Sequence, residues 1–257
     1  MPYPPQIATT LAAALGLDGT GRLLDVGCGP GSVTLVLAPL FAGAVGIDAD
    51  PGMVAVAREE ADRAGVRTVA FRHLRAEELP GGLGRFRVIT FAQSFHWFDR
   101  APVAATARRM LELGGAVVHV QAITHAGVRA SDALPAPEPP HEAILTLVRQ
   151  YLGQQRRAGQ RTVAGGTTPG GEASVFRAAG FRGPVQVPVE VAPEHDVFLR
   201  TEDQVVAAVF SLSYAAPHLF GDRLGAFETD LRDLLRETAP DGRFAERRRQ
   251  VVLDIWR

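Results

Sequence analysis

The sequence predicts an α/β protein built on a doubly wound parallel sheet, and three observations lead to that class. Short apolar runs alternate along the chain with longer runs that have the apolar spacing of helices. A glycine-rich turn, Gly27 to Gly31, joins the first apolar run to the helical run that follows it. The 257 residues are 46% hydrophobic and 21% charged, which is ordinary for a folded, water-soluble protein with a full core.

Each strand is predicted from an apolar run bounded by turn residues, and each helix from its spacing or its end signals. Asp50 before Pro51 signals the start of a helix, and Gly16 and Gly114–Gly115 signal helix ends. The predicted strands are Arg22–Val26, Ala44–Asp48, Thr68–Leu74, Arg87–Gln93, Ala116–Ile123, Pro184–Val191 and Arg249–Trp256. The predicted helices are Gln6–Leu17, Ser32–Phe41, Pro51 to about Ala64, Pro102–Leu113, His141–Leu152, Gly171–Ala179, Glu202–Leu212 and Arg223–Glu237.

The alternation of strands and helices stops after Ile123, which predicts insertions flanking the late strands. We expect one domain whose core covers about residues 18–128, 171–192 and 245–257. The intervening segments, about 129–170 and 193–244, are predicted to form a helical cap over the carboxyl-terminal edge of the strands.

Composition limits the classes of partner and of chemistry. The net charge is −1, so nothing suggests a nucleic-acid partner. No lysine is present, which excludes Schiff-base chemistry on a lysine. Cys28 is the single cysteine, which suits a reducing cytoplasm, and no His/Cys group has metal-ligand spacing. We recognise no signal peptide and no stretch long enough to cross a bilayer, so we expect no membrane partner. The sequence does not indicate the oligomeric state.

Two acidic residues stand beside the glycine turn. Asp25 comes two residues before Gly27, and Asp48 ends the next apolar run. Glycines in the order G-x-G-x-G permit unusual backbone angles and the close approach of a ligand, and the order differs from the G-x-G-x-x-G of dinucleotide sites. An acid like Asp48 can accept hydrogen bonds from both hydroxyls of a ribose. A nucleoside with a positively charged amino-acid tail, such as S-adenosylmethionine, would satisfy both acids; a dinucleotide site or a plain strand–helix turn are the alternatives.

Asp25–Gly31 together with Gly46–Asp48 resembles the first two motifs of the Rossmann-like (class I) S-adenosylmethionine-dependent methyltransferases. The resemblance covers about residues 20 to 125 and implies a seven-stranded sheet and S-adenosylmethionine as cofactor. In related proteins an amino-terminal segment covers the cofactor, so Tyr3 either does this or belongs to a disordered terminus. The cofactor contacts implied around the turn are Tyr3, Asp25, Gly27, Cys28, Gly29, Gly31, Asp48, Ala49 and Met53.

The segment after the third predicted strand, Arg75 to Pro80, resembles the adenine-binding part of the same family. The Ala76 amide would donate to an adenine ring nitrogen, and Glu77 would accept from the exocyclic amine or stay solvated. Arg75 stands where the family usually has an acid, which is a departure from the common pattern.

Phe91 to Asp99, after the fourth predicted strand, resembles a motif of the trans-aconitate methyltransferase-like subgroup. Gln93 and Ser94 would hold the amine or carboxylate of the methionine portion, and Trp97 would pack on the cofactor. His96 is either a general base or a hydrogen-bonded histidine that orders the loop. The predicted substrate side comprises His96, Trp97, Tyr214 and His218, of which the last two lie in the cap.

The resemblance therefore predicts methyl transfer from S-adenosylmethionine to an O, N or C nucleophile of a small metabolite. Such transfer needs an aligned nucleophile and exclusion of water more than acid–base help. The alternatives are a carboxylate O-methyltransferase of the trans-aconitate type and a non-catalytic S-adenosylmethionine-binding protein.

Overall fold

The structure is a computed structural model that describes residues 3–122, 134–153, 157–158, 161–162, 171–191, 197–212, 214–247 and 250–257. The chain divides into two compact units. The large unit comprises Pro2–Ile123, Gly166–Glu190 and Gln250–Arg257, and the small unit comprises Thr124–Gly165 and Val191–Arg249. The predicted single domain with a cap stays a prediction.

A seven-stranded sheet forms the centre of the large unit and confirms the predicted fold class. Its strands are β1 (Arg22–Val26), β2 (Gly43–Asp48), β3 (Val69–His73), β4 (Phe86–Ala92), β5 (Leu111–Ala122), β8 (Val185–Val189) and β11 (Val251–Trp256). Their spatial order is β3-β2-β1-β4-β5-β11-β8. The first five strands pair parallel with one another, whereas β11 pairs antiparallel with β5 and β8. The order reverses at β1, so the carboxyl ends of β1, β2 and β4 form the edge where such sheets bind ligands.

Helices cover both faces of this sheet because successive strand side chains point to opposite sides. Leu23 packs in one buried cluster with side chains of α1 (Gln6–Leu15) and α2 (Ser32–Leu37). Its neighbour Leu24 packs in another with side chains of α4 (Arg100–Met110) and α6 (Glu172–Ala178). Helix α3 (Pro51–Arg63) of the same unit begins as predicted, since the Asp50 side chain accepts from the Gly52 and Met53 amides.

The predicted end of α4 at Leu113 is wrong, because the helix ends at Met110. Leu111 already pairs with Phe86, and the next pair along the ladder joins Ala116 to Val88. Residues 112–115 therefore form a bulge opposite a single residue of β4, and Gly114 lies there with φ +75 rather than at a helix end. The predicted helix to Phe41 is also shorter, since α2 gives way to a 3₁₀ turn, Ala38–Leu40.

The small unit contains α5 (His141–Leu152), α7 (Glu202–Phe210) and α8 (Leu224–Thr238), close to the predicted positions. It also contains strands that the prediction of a helical cap missed. Strands β9 (Val197–Thr201) and β10 (Arg243–Arg247) form an antiparallel pair, and β6 (Arg157–Ala158) and β7 (Arg161–Thr162) form a second one. Within the first predicted cap segment, about 129–170, residues 129–133, 154–156, 159–160 and 163–170 lie outside the described residues. Among the described helices, none combines the length and the apolar character that crossing a bilayer requires.

Candidate cofactor site

The glycine loop follows β1 directly and is tied to the end of β2. The amides of Gly27 and Cys28 both donate to the Ile47 carbonyl at 2.9 Å. The glycines at positions 27, 29 and 31 have φ values of +71, +54 and +81, which confirms the unusual backbone predicted for the turn. A residue with a side chain rarely adopts such angles, so the chain reverses tightly here because all three positions are glycine.

The three glycines differ in what surrounds them. A Cβ added at Gly27 would lie 2.6 Å from Ser94 Cβ, and one at Gly31 would lie 2.9 Å from Phe71 Cζ. A Cβ added at Gly29 would meet nothing within 4 Å. Gly27 and Gly31 are therefore packed by the protein itself, whereas Gly29 borders open space from which a ligand can approach the backbone.

Replacement of Gly27 by Ala is expected to destabilise the large unit far more than replacement of Gly29. Both changes strain a left-handed backbone, by about 1–2 kcal/mol. Only Gly27→Ala adds the clash with Ser94, so we expect a total loss of about 2–5 kcal/mol in the free energy of unfolding. Urea denaturation of both variants measures the difference. Equal losses would contradict this account of the packing.

Asp48 fastens the glycine loop to β2. Its Oδ2 accepts from the Gly29 amide at 2.8 Å, and its Oδ1 accepts from the Asp50 amide at 2.9 Å. Burial raises the pKa of this carboxyl against the opposing effect of those amides. Each carboxylate oxygen retains a second lone pair, so the group can also accept from hydroxyls of a ligand that lies against Gly29. Neighbouring Ala49 is exposed, and its carbonyl oxygen lies 3.1 Å from His73 Nε2.

Asp25 lies beneath the loop and is fully buried. Its carboxylate accepts from Thr34 Oγ1 at 2.6 Å and from Thr90 Oγ1 at 2.8 Å. Burial raises the pKa of Asp25 to about 6, although the two threonine hydrogen bonds act to lower it. The described contacts of Asp25 thus stabilise the loop from inside, and a direct contact of Asp25 with a ligand stays a prediction.

Asp25 is expected to make the large unit less stable as the pH rises. Its pKa is about 6 in the folded chain against 3.8 for the free side chain, so the folded state binds the proton more tightly between those values. The free energy of unfolding therefore falls as the pH rises from about 4 to about 7, by on the order of 3 kcal/mol.

The Asp25→Asn variant should lack this part of the pH dependence. Urea denaturation at several pH values compares the two proteins, and the stability of the variant relative to the wild type should rise with pH. A difference that stays constant with pH would contradict the raised pKa.

Cys28 is buried beside Phe71 and Val54. Its Sγ lies 3.6 Å from the Gly29 carbonyl oxygen. Burial first, and then the charges of Asp25 and Asp48, raise the pKa of the thiol well above its usual value. The side chain is a protonated, small group that fits the turn, and a reactive thiolate is not favoured.

The segment after β3 places Ala76 and Glu77 in a 3₁₀ turn, Ala76–Glu78. Ala76 is buried against the core. Glu77 Oε1 accepts from the Asp99 amide at 3.3 Å, and its Oε2 lies 3.5 Å from Arg75 Nε. Glu77 therefore links this turn to the start of α4, which is a structural contact that the sequence analysis did not foresee.

The loop after β4 holds its polar side chains in place by contacts with other strand ends. Gln93 has φ +53 and is the one non-glycine residue with a positive φ in the described part of the chain. Its Nε2 donates to the Val120 carbonyl at 3.1 Å. Ser94 is buried, and its Oγ donates to the Val26 carbonyl at 2.6 Å. The rings of His96 and Trp97 are tilted against each other with centroids 4.8 Å apart, and both are partly exposed.

The structure brings most of the predicted site residues to one edge of the large unit. They stand at or after the carboxyl ends of β1 (Gly27, Cys28, Gly29 and Gly31), β2 (Asp48, Ala49 and Met53), β3 (Ala76 and Glu77) and β4 (Gln93, Ser94, His96 and Trp97). Tyr3 belongs to this unit as well and packs against the cluster around α1. Tyr214 and His218 belong to the small unit, where Tyr214 packs on its core and His218 is exposed.

Sequence analysis missed three residues that build this site. Thr34 and Thr90 hold Asp25, and Phe71 packs against Gly31 and Gly46. Thr90 stands opposite Asp25 in the β1–β4 ladder, a register that no local pattern reveals. Within the described ranges, no group of three or more His, Cys, Asp or Glu side chains is arranged to hold a metal ion.

Residues 23–115 match a family described as a methyltransferase domain. Among curated proteins, the ubiquinone biosynthesis O-methyltransferase of Cereibacter sphaeroides is 37% identical over 109 residues, which are 42% of this chain and 43% of that protein. The chain thus spans less than half the length of the curated relatives that it matches.

Two solved structures are similar over almost the whole chain. YcgJ from Bacillus subtilis has a TM-score of 0.50 and 19% identity, covering 97% of this chain and 96% of its own. The cyclase SpnF has a TM-score of 0.52 and 20% identity, covering 98% of this chain and 80% of its own. Likeness at this identity shows the fold alone, and the fold does not determine the reaction, since one of its members is a cyclase.

Proposed function

We propose, from the premise that the chain belongs to the class I (Rossmann-like) S-adenosylmethionine-dependent methyltransferases, that it methylates an O, N or C nucleophile of a small metabolite. One observation carries the proposal. Gly29 borders open space, and its amide donates a hydrogen bond to the Asp48 carboxylate. That carboxylate retains lone pairs that can accept further hydrogen bonds. A ribose that lies against this backbone finds its hydroxyl acceptor already in place.

The donor set of the loop fits S-adenosylmethionine. Asp48 would accept from the ribose hydroxyls, and the Ala76 amide would donate to the adenine. Gln93 Oε1 and the backbone after it would hold the methionine portion, while Ser94 supports Gly27 from beneath. When bound, the cofactor supplies a methyl group that its sulfonium makes electrophilic.

The residues of this chain would align the acceptor and exclude water, which supply much of the rate in such a transfer. His96, held against Trp97, would take the proton of the acceptor or order the loop. Tyr214 and His218 are proposed as substrate contacts. The names of the curated relatives favour oxygen as the acceptor atom. The single cysteine supports a cytoplasmic location.

Titration calorimetry with S-adenosylmethionine and S-adenosylhomocysteine tests the first half of the proposal. We expect binding of one equivalent, and its absence would overturn the assignment. Incubation with phenols, amines, activated-methylene compounds and carboxylic acids, with detection of S-adenosylhomocysteine, tests the second half. Turnover of a tricarboxylic acid alone would favour the trans-aconitate type, which the resemblance of Phe91–Asp99 suggests. Binding without turnover of any acceptor would favour the non-catalytic alternative.

A further inference from the structure

A cavity of about 700 Å³, open to solvent, lies between α3 and β3, an edge strand of the sheet and here called the edge strand. Pockets of roughly 300–1,000 Å³ are the size that small ligands occupy. Its walls come from the end of α3, the turn that follows and the edge strand. The lining residues are Arg58, Ala61, Asp62, Gly65, Val66, Arg67, Val69, Ala70 and Phe71.

Backbone hydrogen bonds hold the rim of this cavity. The Val66 amide donates to the Ala61 carbonyl at 2.9 Å, and the Gly65 amide donates to the Asp62 carbonyl at 3.1 Å. Together with φ +66 at Gly65, these bonds form a Schellman-type helix end. A Cβ added at Gly65 would meet nothing within 4 Å, so the turn borders open space. The cavity is therefore formed before any ligand enters it.

The charges of the lining favour an anion. The lining contains two arginines, Arg58 and Arg67, and one acidic residue, Asp62. Arg58 Nη2 donates to the Phe71 carbonyl at 2.8 Å, which fixes the guanidinium at the wall while its other donors remain for a ligand. Guanidinium groups bind planar carboxylates and phosphates through paired hydrogen bonds. Part of the remaining lining is apolar, with half-buried Val66 and Val69, so an anion on a compact apolar body suits the pocket.

Phe71 joins this cavity to the glycine loop. Phe71 is one of the lining residues, and its ring packs so closely against the loop that a Cβ at Gly31 would lie 2.9 Å from Cζ. The same ring would lie 2.6 Å from a Cβ at Gly46, the residue two before Asp48. A ligand that displaces this ring would therefore press on the backbone of Gly31 and Gly46, since the ring packs directly against both glycines.

We propose that the cavity between α3 and β3 is a second small-molecule site, which takes a carboxylate or phosphate on a compact apolar body and acts on the glycine loop through Phe71. The proposal does not depend on the reaction, since it needs no bound nucleoside.

The probe for this site is 2-naphthoate, a carboxylate on a bicyclic aromatic body, with neutral 2-naphthamide as its matched control. Calorimetry should give one site for 2-naphthoate and affinity about tenfold lower for the amide, since a hydrogen bond to a charged group contributes about that much. The Arg67→Gln variant should also bind 2-naphthoate about tenfold more weakly. Arg63→Gln, which removes the same charge from an exposed side chain paired with Glu59 and Glu60, should leave the affinity unchanged.

A second variant, Arg58→Gln, removes the other lining guanidinium and should also weaken the binding of 2-naphthoate by about tenfold. Backbone NMR reports the coupling: 2-naphthoate should shift the amides of Gly29, Gly31 and Gly46 in the protein without a nucleoside. Absence of binding, or equal effects of Arg67→Gln and Arg63→Gln, would overturn the site. Binding that leaves the three glycine amides unmoved would overturn the coupling. Either result is independent of calorimetry with S-adenosylmethionine, which tests the proposed function.

Discussion

The Asp48→Asn variant is expected to bind S-adenosylhomocysteine about ten- to a hundredfold more weakly than the wild type. The carboxylate fixes the Gly29 amide at 2.8 Å and offers its remaining lone pairs to the ribose. Hydrogen bonds to charged groups contribute about 1.5–3 kcal/mol each, and an amide replaces one acceptor oxygen with a donor that the Gly29 or Asp50 amide repels. Titration calorimetry at neutral pH measures the change.

The matched control is Asp50→Asn, which removes the same charge two residues away. Asp50 caps α3 through the Gly52 and Met53 amides, and asparagine serves equally well as an N-cap. This variant should keep an affinity within about twofold of the wild type, by the near-equivalence of the two caps. Unchanged affinity in Asp48→Asn, with the protein folded by its tryptophan fluorescence, would show that the ribose acceptor lies elsewhere.

The Phe176→Ala variant is expected to lose about 3–5 kcal/mol in the free energy of unfolding of the large unit. Phe176 is fully buried in α6. Its ring stacks on Phe95 with centroids 4.6 Å apart and contacts Trp256 at 5.2 Å and Phe181 at 5.7 Å. Truncation leaves a cavity among rings that are themselves packed against the sheet, so the surrounding side chains can fill little of it. The loss of stability should therefore lie near the upper end of this range.

Urea denaturation followed by tryptophan fluorescence measures this loss for the large unit alone, because both tryptophans, Trp97 and Trp256, belong to it. Leu113→Ala is the control in the same unit. Leu113 projects from the bulge of β5 and is fully exposed, so its truncation should change stability by less than about 0.5 kcal/mol. A loss below about 1 kcal/mol for Phe176→Ala would contradict the packing of this cluster.

Local signals predicted most elements of the large unit. The bounds of β1, Arg22–Val26, agree with the prediction, as does the cap of α3 at Asp50. Both depend on neighbours in the chain: an apolar run that ends at a glycine, and a side chain that bonds amides two and three residues later. The end of α4 was missed because it depends on the pairing of Leu111 with Phe86, a residue of another strand.

The same distinction separates the parts of the candidate site. Local sequence signals pointed to the glycine turn, Asp48 and the aromatic loop, since each stands at or directly after the end of an apolar strand. It did not assign Thr34 and Thr90 to Asp25, and it gave Glu77 no contact with Asp99. It also missed the pairing of β9 with β10, which joins segments some forty residues apart.

By itself, the sequence determined the order of strands and helices in the large unit, the left-handed turn that glycine permits, and the acids that stand beside it. Only the tertiary structure decided what surrounds those residues: the two threonines that donate to Asp25, the open space at Gly29, and the ring of Phe71 that packs against the loop. The physical reason is that periodicity and turn chemistry act between neighbours in the chain, whereas burial and strand register depend on residues that only folding brings together.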